Sequence, residues 1–161
     1  ESGGSNFEWT TNTEERNRLW QARHDAAYAC KALVPNGEIW ATDVCVPISQ
    51  LAECIRETQA DIRESKLIAP IVGHVGDGNF HLVLLVDKGD AEEVQRAHAL
   101  HERMVMRALA MGGTCTGEHG IGYGKLDFLI AEHGEAVNVM RSIKQALDPN
   151  NIMNPGKVLR V

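Results

Sequence analysis

Two histidines flank a short turn near the middle of the chain. The segment 73–81 reads Gly-His-Val-Gly-Asp-Gly-Asn-Phe-His. Residues 76–79 all favour turns and apolar runs lie on both sides, which predicts a β-hairpin. A loop of those four residues would place His74 directly opposite His81, with Cβ atoms about 4.5–5.5 Å apart. Two imidazoles placed this way could bind one metal ion, although an ordinary turn decorated by histidines would have the same sequence.

A third ligand must come from elsewhere, and a second glycine-rich segment offers one. Residues 117–125 read Gly-Glu-His-Gly-Ile-Gly-Tyr-Gly-Lys. Glu118 and His119 are adjacent, so in an extended segment one could ligate a metal while the other reaches a substrate. A phosphate-binding loop does not match, because it would need glycine at His119 and Ser or Thr at Leu126. A flexible linker is the remaining alternative, but Glu-His and a lysine are unlike linker composition.

The segments around these motifs predict mixed secondary structure. Capping residues and apolar periodicity predict helices over about 12–33, 49–65, 91–110, 125–133 and 135–147. Apolar and β-branched runs predict strands over 38–46, 67–75, 80–86 and 114–117. Because the hairpin requires antiparallel pairing, we expect an α+β domain resembling a ferredoxin-like antiparallel sheet, with helices packed on one face.

Local signals mark where the first elements begin and end. The first dozen residues are rich in Gly, Ser and Asn, which predicts strand or loop. Asn12 followed by Glu15 is a capping box that would open the first helix, and Pro35-Asn36-Gly37 would stop it. Ser49 is the expected N-cap of the second helix.

The composition fits one soluble globular domain. The chain has 161 residues, of which 43% are hydrophobic and 24% charged. A formal net charge of −6 without a basic stripe argues against nucleic acid as a partner. No apolar run reaches about 18 residues, so no transmembrane segment is expected.

The cysteines and the first residues bear on the compartment. No Cys-x-x-Cys pair occurs among Cys30, Cys45, Cys54 and Cys115. Reduced thiols in an intracellular, reducing compartment are therefore expected, either the cytoplasm or an organellar matrix, with peripheral membrane association left open. Residues 1–5 lack the basic and apolar regions of a signal peptide.

Several motifs, in this order, resemble one family of flavoenzymes. Three of them are Gly-His-x-Gly-Asp-Gly-Asn-x-His at 73–81, Gly-Glu-His-Gly-Ile-Gly at 117–122 and Asp-Pro-x-x-x-Met-Asn-Pro-Gly-Lys at 148–157. Leu-Trp-x-Ala-Arg-His at 19–24 and Thr-Asp-Val-Cys-Val-Pro at 42–47 add to them. Together they resemble the C-terminal domain of the FAD-linked oxidases that share the vanillyl-alcohol-oxidase fold, and within that group the FAD-dependent D-lactate dehydrogenases.

The resemblance implies a role for each matching residue. It implies that a divalent ion (Zn²⁺, Mn²⁺ or Fe²⁺) is bound by His74, His81 and Glu118. His119 would be the catalytic base, Arg23 would hold the substrate carboxylate, and Asn154 would lie near the flavin ring. These residue types suit the chemistry, because a chelated 2-hydroxyl loses its proton more readily and an imidazole can accept it near neutral pH. A guanidinium can hold a carboxylate by two parallel hydrogen bonds.

The resemblance also bears on which 2-hydroxyacid is oxidised. Members that act on D-2-hydroxyglutarate have polar residues at the positions that match Ala27, Ala41 and Val83. A second carboxylate would find no charge partner at these positions and would lose its hydration without compensation. We therefore expect D-lactate or a close homologue, with a D-2-hydroxyglutarate or glycolate type as the alternative. Val83 should share the face of its strand with His81 and line the substrate pocket, close to Ala27.

A complete enzyme of this kind also carries an FAD-binding domain, which the chain does not match. The expected organisation is a partial substrate or cap domain over 1–147, incomplete at its N-terminal side, and a tail over 148–161 that would return to that FAD-binding domain. Such a fragment is expected to be inactive alone; within the enzyme, FAD would be re-oxidised by an acceptor such as a cytochrome or quinone. A non-catalytic metal- or ligand-binding module and a metal-dependent hydrolase remain as alternatives.

Overall fold

The structure, a computed structural model, describes residues 9–34 and 36–161. Its helices are α1 Thr13–Lys31, α2 Ile48–Ser65, α3 Ala91–Ala110, α4 Leu126–His133 and α5 Ala136–Leu147. Its strands are β1 Glu38–Ala41, β2 Val44–Cys45, β3 Ile71–His74 and β4 Asn79–Val86, and a 3₁₀ turn spans Val75–Asp77. The expectations for residues 1–8 and for Pro35 lie outside the described residues.

Strand β4 is the centre of an antiparallel sheet. β1 and β2 pair along one side of β4 and β3 pairs along the other. The predicted single strand over 38–46 is wrong, because it is interrupted at Thr42 and Asp43. Thr42 offers its hydroxyl, in place of its backbone carbonyl, to the N–H of Leu82 at 2.8 Å. The pairing keeps its register across the break, but the Thr42 carbonyl and the Asp43 carboxylate are left to contact other groups.

The β3–β4 turn differs by one residue from the expectation. Val75 begins the 3₁₀ turn, so the loop is 75–78 and His74 pairs with Asn79. The predicted direct pairing of His74 with His81 is therefore wrong. His81 is instead the diagonal neighbour of His74, and diagonal neighbours still share one face of the sheet. Gly78 closes the turn with a φ of 78°, in the left-handed region.

The two faces of β4 are both buried, but against different elements. Side chains of Phe80, Leu82, Leu84 and Val86 form the main core with α2 and α3. The predicted antiparallel α+β fold with helices packed on one face is confirmed, and α2 and α3 are those helices. On the opposite face, Val83 and Leu85 pack against Cys30 near the end of α1. Near Val83 and Leu85 this face is covered by the last turn of α1, and the rest of that helix is largely exposed.

Helix ends agree with the sequence in some places and not in others. Asn12 is the N-cap of α1 and accepts from the N–H groups of Glu14 and Glu15, as predicted. Ser49 does not cap α2, because the helix begins one residue earlier, after Pro47, without a side-chain cap. The expected strand over 114–117 is reduced to one bridge between Thr114 and Cys45. Thr116, Glu118 and His119 instead donate hydrogen bonds to the buried carboxylate of Asp43.

The C-terminal segment 148–161 folds back onto its own domain. Asp148 accepts from the N–H groups of Ile152 and Met153, each at 2.9 Å. The side chain of Leu159 packs with Leu129 and Val137 of the last two helices. The proposed boundary near 147 stays a prediction.

The remaining expectations concern the membrane and the cysteines. In the described part of the chain, no helix is long and apolar enough to cross a membrane. The four cysteines are free thiols, and three of them are buried.

Replacing Gly78 with alanine should destabilise the hairpin. An added Cβ would lie 2.0 Å from the carbonyl oxygen of Val46, and the positive φ disfavours any L side chain. We expect the free energy of unfolding to fall by about 2 kcal/mol or more, measured by urea denaturation. Gly76→Ala is the matched control, because an added Cβ there would meet nothing within 4 Å and the φ of Gly76 is not positive. Equal losses in both variants would contradict this account.

His101 should make stability depend on pH. Burial, with smaller contributions from the charges of Lys125 and His98, lowers its pKa from the usual 6.5 to about 4. Between these values the unfolded chain binds a proton that the folded chain does not, so acidification favours unfolding. We expect the unfolding free energy to fall by about 2–3 kcal/mol between pH 7 and 4.5 through this group.

Urea denaturation of His101→Leu at both pH values measures that loss, because the variant should lack it. The exposed His133→Gln is the control and should keep the pH dependence of the original chain. An unchanged pH dependence in His101→Leu would show that another group is responsible.

Candidate active site

The structure brings His74, His81 and Glu118 together beside the hairpin turn. One ligand atom from each lies within 4.8 Å of the others. Glu118 Oε1 is 2.9 Å from His81 Nε2 and 3.6 Å from His74 Nε2. An ion about 2.0–2.2 Å from each atom would need neighbouring ligands roughly 3–3.5 Å apart, so small shifts would complete such a site. The His81 side chain is 9% exposed and the other two are nearly half exposed, which leaves one side open.

The hydrogen bonds of the histidines also fit a cation. His81 Nδ1 is 2.9 Å from the Thr42 carbonyl oxygen, which only accepts, so Nδ1 donates. In neutral imidazole the Nε2 lone pair then faces Glu118 Oε1, another acceptor, at 2.9 Å. Two acceptors this close require a proton or a metal ion between them. His74 Nε2 accepts from Arg23 at 3.3 Å, so its lone pair is on the nitrogen near Glu118, and an ion bound there would replace the Arg23 donor.

His119 lies over the same cluster. Its ring stacks on His81 with centroids 5.0 Å apart and planes 10° from parallel, and its Nε2 is 3.8 Å from Glu118 Oε1. The segment bends here instead of running extended, so Glu118 and His119 both contact His81. Half of the His119 side chain is exposed, so it can reach a molecule bound on the open side.

Arg23 extends the cluster toward α1. Its guanidinium and His74 both line a cleft of about 440 Å³ between α1 and β3, with Trp20 and Leu19 as apolar neighbours. A second cleft, of about 460 Å³, lies on the other side of His74 and includes Glu118. The first cleft thus combines a permanent cation with apolar surface, which suits a small organic anion.

The remaining sequence candidates lie at different distances from the cluster. Val83 is buried on the His81 face of β4, against Cys30 of α1. Ala27 is exposed on α1, one turn after Arg23. Asn154 lies in the C-terminal segment with a φ of 49°, and its side-chain oxygen is 3.4 Å from Lys157 Nζ. The structure therefore groups Arg23 with the histidines but shows Asn154 in contact with its own segment.

Sequence reasoning missed Asp43, which is fully buried behind the cluster. Its Oδ2 accepts from the N–H groups of Glu118 and His119 at 3.0 and 2.9 Å. Lys125 Nζ lies 3.4 Å from the same oxygen and donates to the Cys115 carbonyl at 2.8 Å. The available signals were an aspartate inside an apolar strand, in one of the family motifs, and a lysine that ends the glycine run.

The environment of Asp43 keeps its carboxyl group ionised. Burial by itself raises the pKa, but hydrogen bonds from the His119 and Glu118 backbones and from the Thr116 and Asn79 side chains outweigh it. The pKa of Asp43 therefore lies well below its usual value.

The chain is similar to known proteins over almost its whole length. Residues 1–158 match the family model described as FAD linked oxidases, C-terminal domain. A probable mitochondrial D-lactate dehydrogenase of Danio rerio is 55% identical over 162 residues, covering 100% of this chain and 33% of the relative. A mitochondrial D-lactate dehydrogenase (cytochrome) of Arabidopsis thaliana is 45% identical over 97% of this chain and 28% of the relative. The chain thus spans about a third of the length of these relatives.

A solved structure shares the fold. The 4-ethylphenol oxidase of Gulosibacter chungangensis, solved as an isoeugenol complex, superposes with a TM-score of 0.65 over 92% of this chain and 31% of that chain. At 19% sequence identity this similarity concerns the fold alone. The family match over nearly every residue, joined to the D-lactate dehydrogenase relatives, shows that the chain belongs to the FAD-linked oxidases and corresponds to their C-terminal domain.

Proposed function

We propose that this chain is the substrate-side domain of an FAD-dependent D-2-hydroxyacid dehydrogenase that oxidises D-lactate or a close homologue. The observation that carries the proposal is the cluster of His74, His81 and Glu118, with Arg23 on its open side. The two relatives described above are named D-lactate dehydrogenases, which supports the same reaction. Since the chain spans about a third of them, the activity belongs to a longer polypeptide that also binds FAD.

The proposed metal site uses both histidines and the glutamate. Nitrogen and carboxylate ligands suit Zn²⁺, Mn²⁺ or Fe²⁺. When bound, such an ion would favour loss of the proton from a 2-hydroxyl group, and the flavin would accept the hydride from C2. The Thr42 carbonyl holds His81 Nδ1, and this fixes which nitrogen carries the lone pair for the ion.

The chain's own residues would bind and orient the substrate. Arg23 would pair with the carboxylate of the hydroxyacid, since its guanidinium lies in the cleft beside His74. His119 would accept the hydroxyl proton, because its ring stacks on His81 and nearly half of its side chain is exposed beside the cluster. Held between a cation and a base, the substrate would present C2 in one orientation.

The proposed substrate is small because the polar groups that a longer diacid needs are missing. Val83 is apolar and buried, and Ala27 ends in a methyl group. A second carboxylate at these positions would lose hydration without gaining a partner. The Arabidopsis relative carries cytochrome in its name and both relatives are named mitochondrial, so we extend a cytochrome acceptor and a mitochondrial location to this proposal.

Metal binding tests the first half of the proposal. The full-length polypeptide should bind one equivalent of Zn²⁺ or Mn²⁺ per chain at this site, measured by titration calorimetry after chelator treatment. His81→Ala and Glu118→Gln should each weaken binding more than about 100-fold, since loss of a direct ligand exceeds the 10–100-fold effect of an outer partner. His133→Ala is the control and should bind as the original protein does. Equal affinity in all four proteins would contradict the site.

Flavin reduction tests the second half. D-Lactate should bleach the absorbance of oxidised flavin in the full-length protein. His119→Asn should slow that step by about 10²–10⁴-fold, as expected for loss of a general base. Arg23→Lys should lower kcat/KM by about 10–100-fold through KM, because lysine cannot make the two parallel hydrogen bonds.

Arg18→Lys, on the same helix, is the control for Arg23 and should leave both constants unchanged. A colourless protein with hydrolytic activity would contradict the proposal. A protein that binds metal but never reduces flavin would favour a non-catalytic module.

A further inference from the structure

Asp43 occupies an unusual place for a carboxylate. It follows Thr42 at the break between β1 and β2, and its side chain is fully buried. A buried ionised carboxylate costs several kcal/mol in lost hydration unless donors surround it. The donors that surround Asp43 come from β4, which carries His81, and from the segment that carries Glu118. Asp43 therefore contacts both of these parts of the candidate site.

One carboxylate oxygen of Asp43 holds the glycine-rich segment. Its Oδ2 accepts from the Thr116 hydroxyl at 2.9 Å, in addition to the two successive N–H groups of Glu118 and His119. Two consecutive peptide N–H groups directed at one oxygen fix the orientation of that peptide unit. They therefore also fix the directions in which the two side chains leave the backbone.

The other oxygen faces β4, the strand that carries His81. Asp43 Oδ1 accepts from Asn79 Nδ2 at 3.0 Å and lies 3.7 Å from His81 Nδ1. Gly117 permits this approach, because a Cβ there would lie 1.8 Å from Asn79 Nδ2. One carboxylate thus connects the bend at Glu118 and His119 to the histidine that both side chains contact.

We propose that Asp43 is a positioning residue, which holds Glu118 and His119 against His81 through the backbone of the glycine-rich segment. The inference rests on the proposed metal and substrate site and adds the residue that would assemble it. Lys125 compensates the buried negative charge of Asp43, since its Nζ donates to the Asp43 carbonyl at 3.1 Å and lies near Oδ2.

Asparagine at this position would keep an acceptor oxygen for the donors at Oδ2, and its NH₂ group could face the unpaired Asn79 Oδ1. It would remove the negative charge that strengthens these hydrogen bonds and that Lys125 balances. Asp43→Asn should therefore loosen the Glu118–His119 peptide even though the side chain keeps its shape.

The chain contains a matched control carboxylate. Glu132 accepts from the Thr114 hydroxyl at 3.1 Å and from the Cys115 N–H at 2.9 Å. It therefore anchors residues 114 and 115, shortly before the glycine-rich segment. Glu132→Gln removes an anchoring charge of the same kind but does not touch Glu118 or His119, so it separates loss of stability from loss of positioning.

The experiment compares Asp43→Asn and Glu132→Gln in the full-length protein, with Co²⁺ as the spectroscopic probe of the ligand cluster. Asp43→Asn should raise the Kd for Co²⁺ by about 10–100-fold and change its visible spectrum, as expected for loss of an outer partner. Amide hydrogen exchange at Glu118 and His119 should also become faster. Glu132→Gln should keep the Kd within about twofold. Equal losses in both variants, or an unchanged Kd in Asp43→Asn, would overturn the proposal.

A milder variant covers the case in which Asp43→Asn does not fold. Thr116→Val keeps the shape of the side chain but removes one donor to Oδ2 and the acceptor of the Gly120 N–H at 2.8 Å. It should raise the Kd for Co²⁺ by a smaller factor, about 3–10-fold, consistent with loss of one neutral partner. A change below twofold would overturn the proposal.

The proposed function can fail separately from this inference. If the original protein binds no Co²⁺, the proposal of a metal site is wrong. The positioning role of Asp43 is then tested by amide hydrogen exchange at Glu118 and His119. Faster exchange in Asp43→Asn but not in Glu132→Gln would still support it. Unchanged exchange in both variants would overturn it.

Discussion

The fold around the site depends on one exchange of hydrogen-bond partners at Thr42. Its hydroxyl takes the N–H of Leu82, which the sheet would otherwise direct to its carbonyl. The released carbonyl accepts from His81, and the strand breaks there, with the next residue, Asp43, directed inward. A regular strand would have kept these groups in the ladder and left His81 without a fixed ring orientation. The break therefore sets the chemistry of the most buried candidate ligand.

The buried carboxylate then connects a rigid element with an irregular one. β4 is buried on both faces, and this fixes His81 as part of the core. The glycine-rich segment has almost no regular backbone pairing and gains its order from donors directed at Asp43. Charge-assisted hydrogen bonds are roughly twice as strong as neutral ones, so one carboxylate can order this segment. The candidate site lies where the segment meets the strand, with the side chains of His119 and Glu118 nearly half exposed.

The sequence predicted the elements better than their connections. Periodicity located the helices, and the motif spacing located His74, His81 and Glu118, which the structure does bring together. The hairpin turn begins one residue earlier than predicted, at Val75, a residue with strand propensity, and this shifts the partner of His74 by two residues, from His81 to Asn79. Asp43 could not be found by periodicity, because Thr116, Glu118 and His119, which donate to it, lie more than 70 residues away along the chain. Local patterns do not contain such long-range partners, although the family motif did include this aspartate.

The charges on the open side favour a cation in the assembled site. Arg23 lies next to His74, which is 3.6 Å from the Glu118 carboxylate. A hydroxyacid carboxylate held by Arg23 would therefore come near a second carboxylate. At a separation of about 5 Å and an effective dielectric constant of about 20, two such charges repel by about 3 kcal/mol. Arg23 and Arg16 line the cleft beside His74, and a divalent ion on the histidines would attract both carboxylates. A divalent ion bound by the histidine lone pairs would thus offset the repulsion between Glu118 and an anionic substrate.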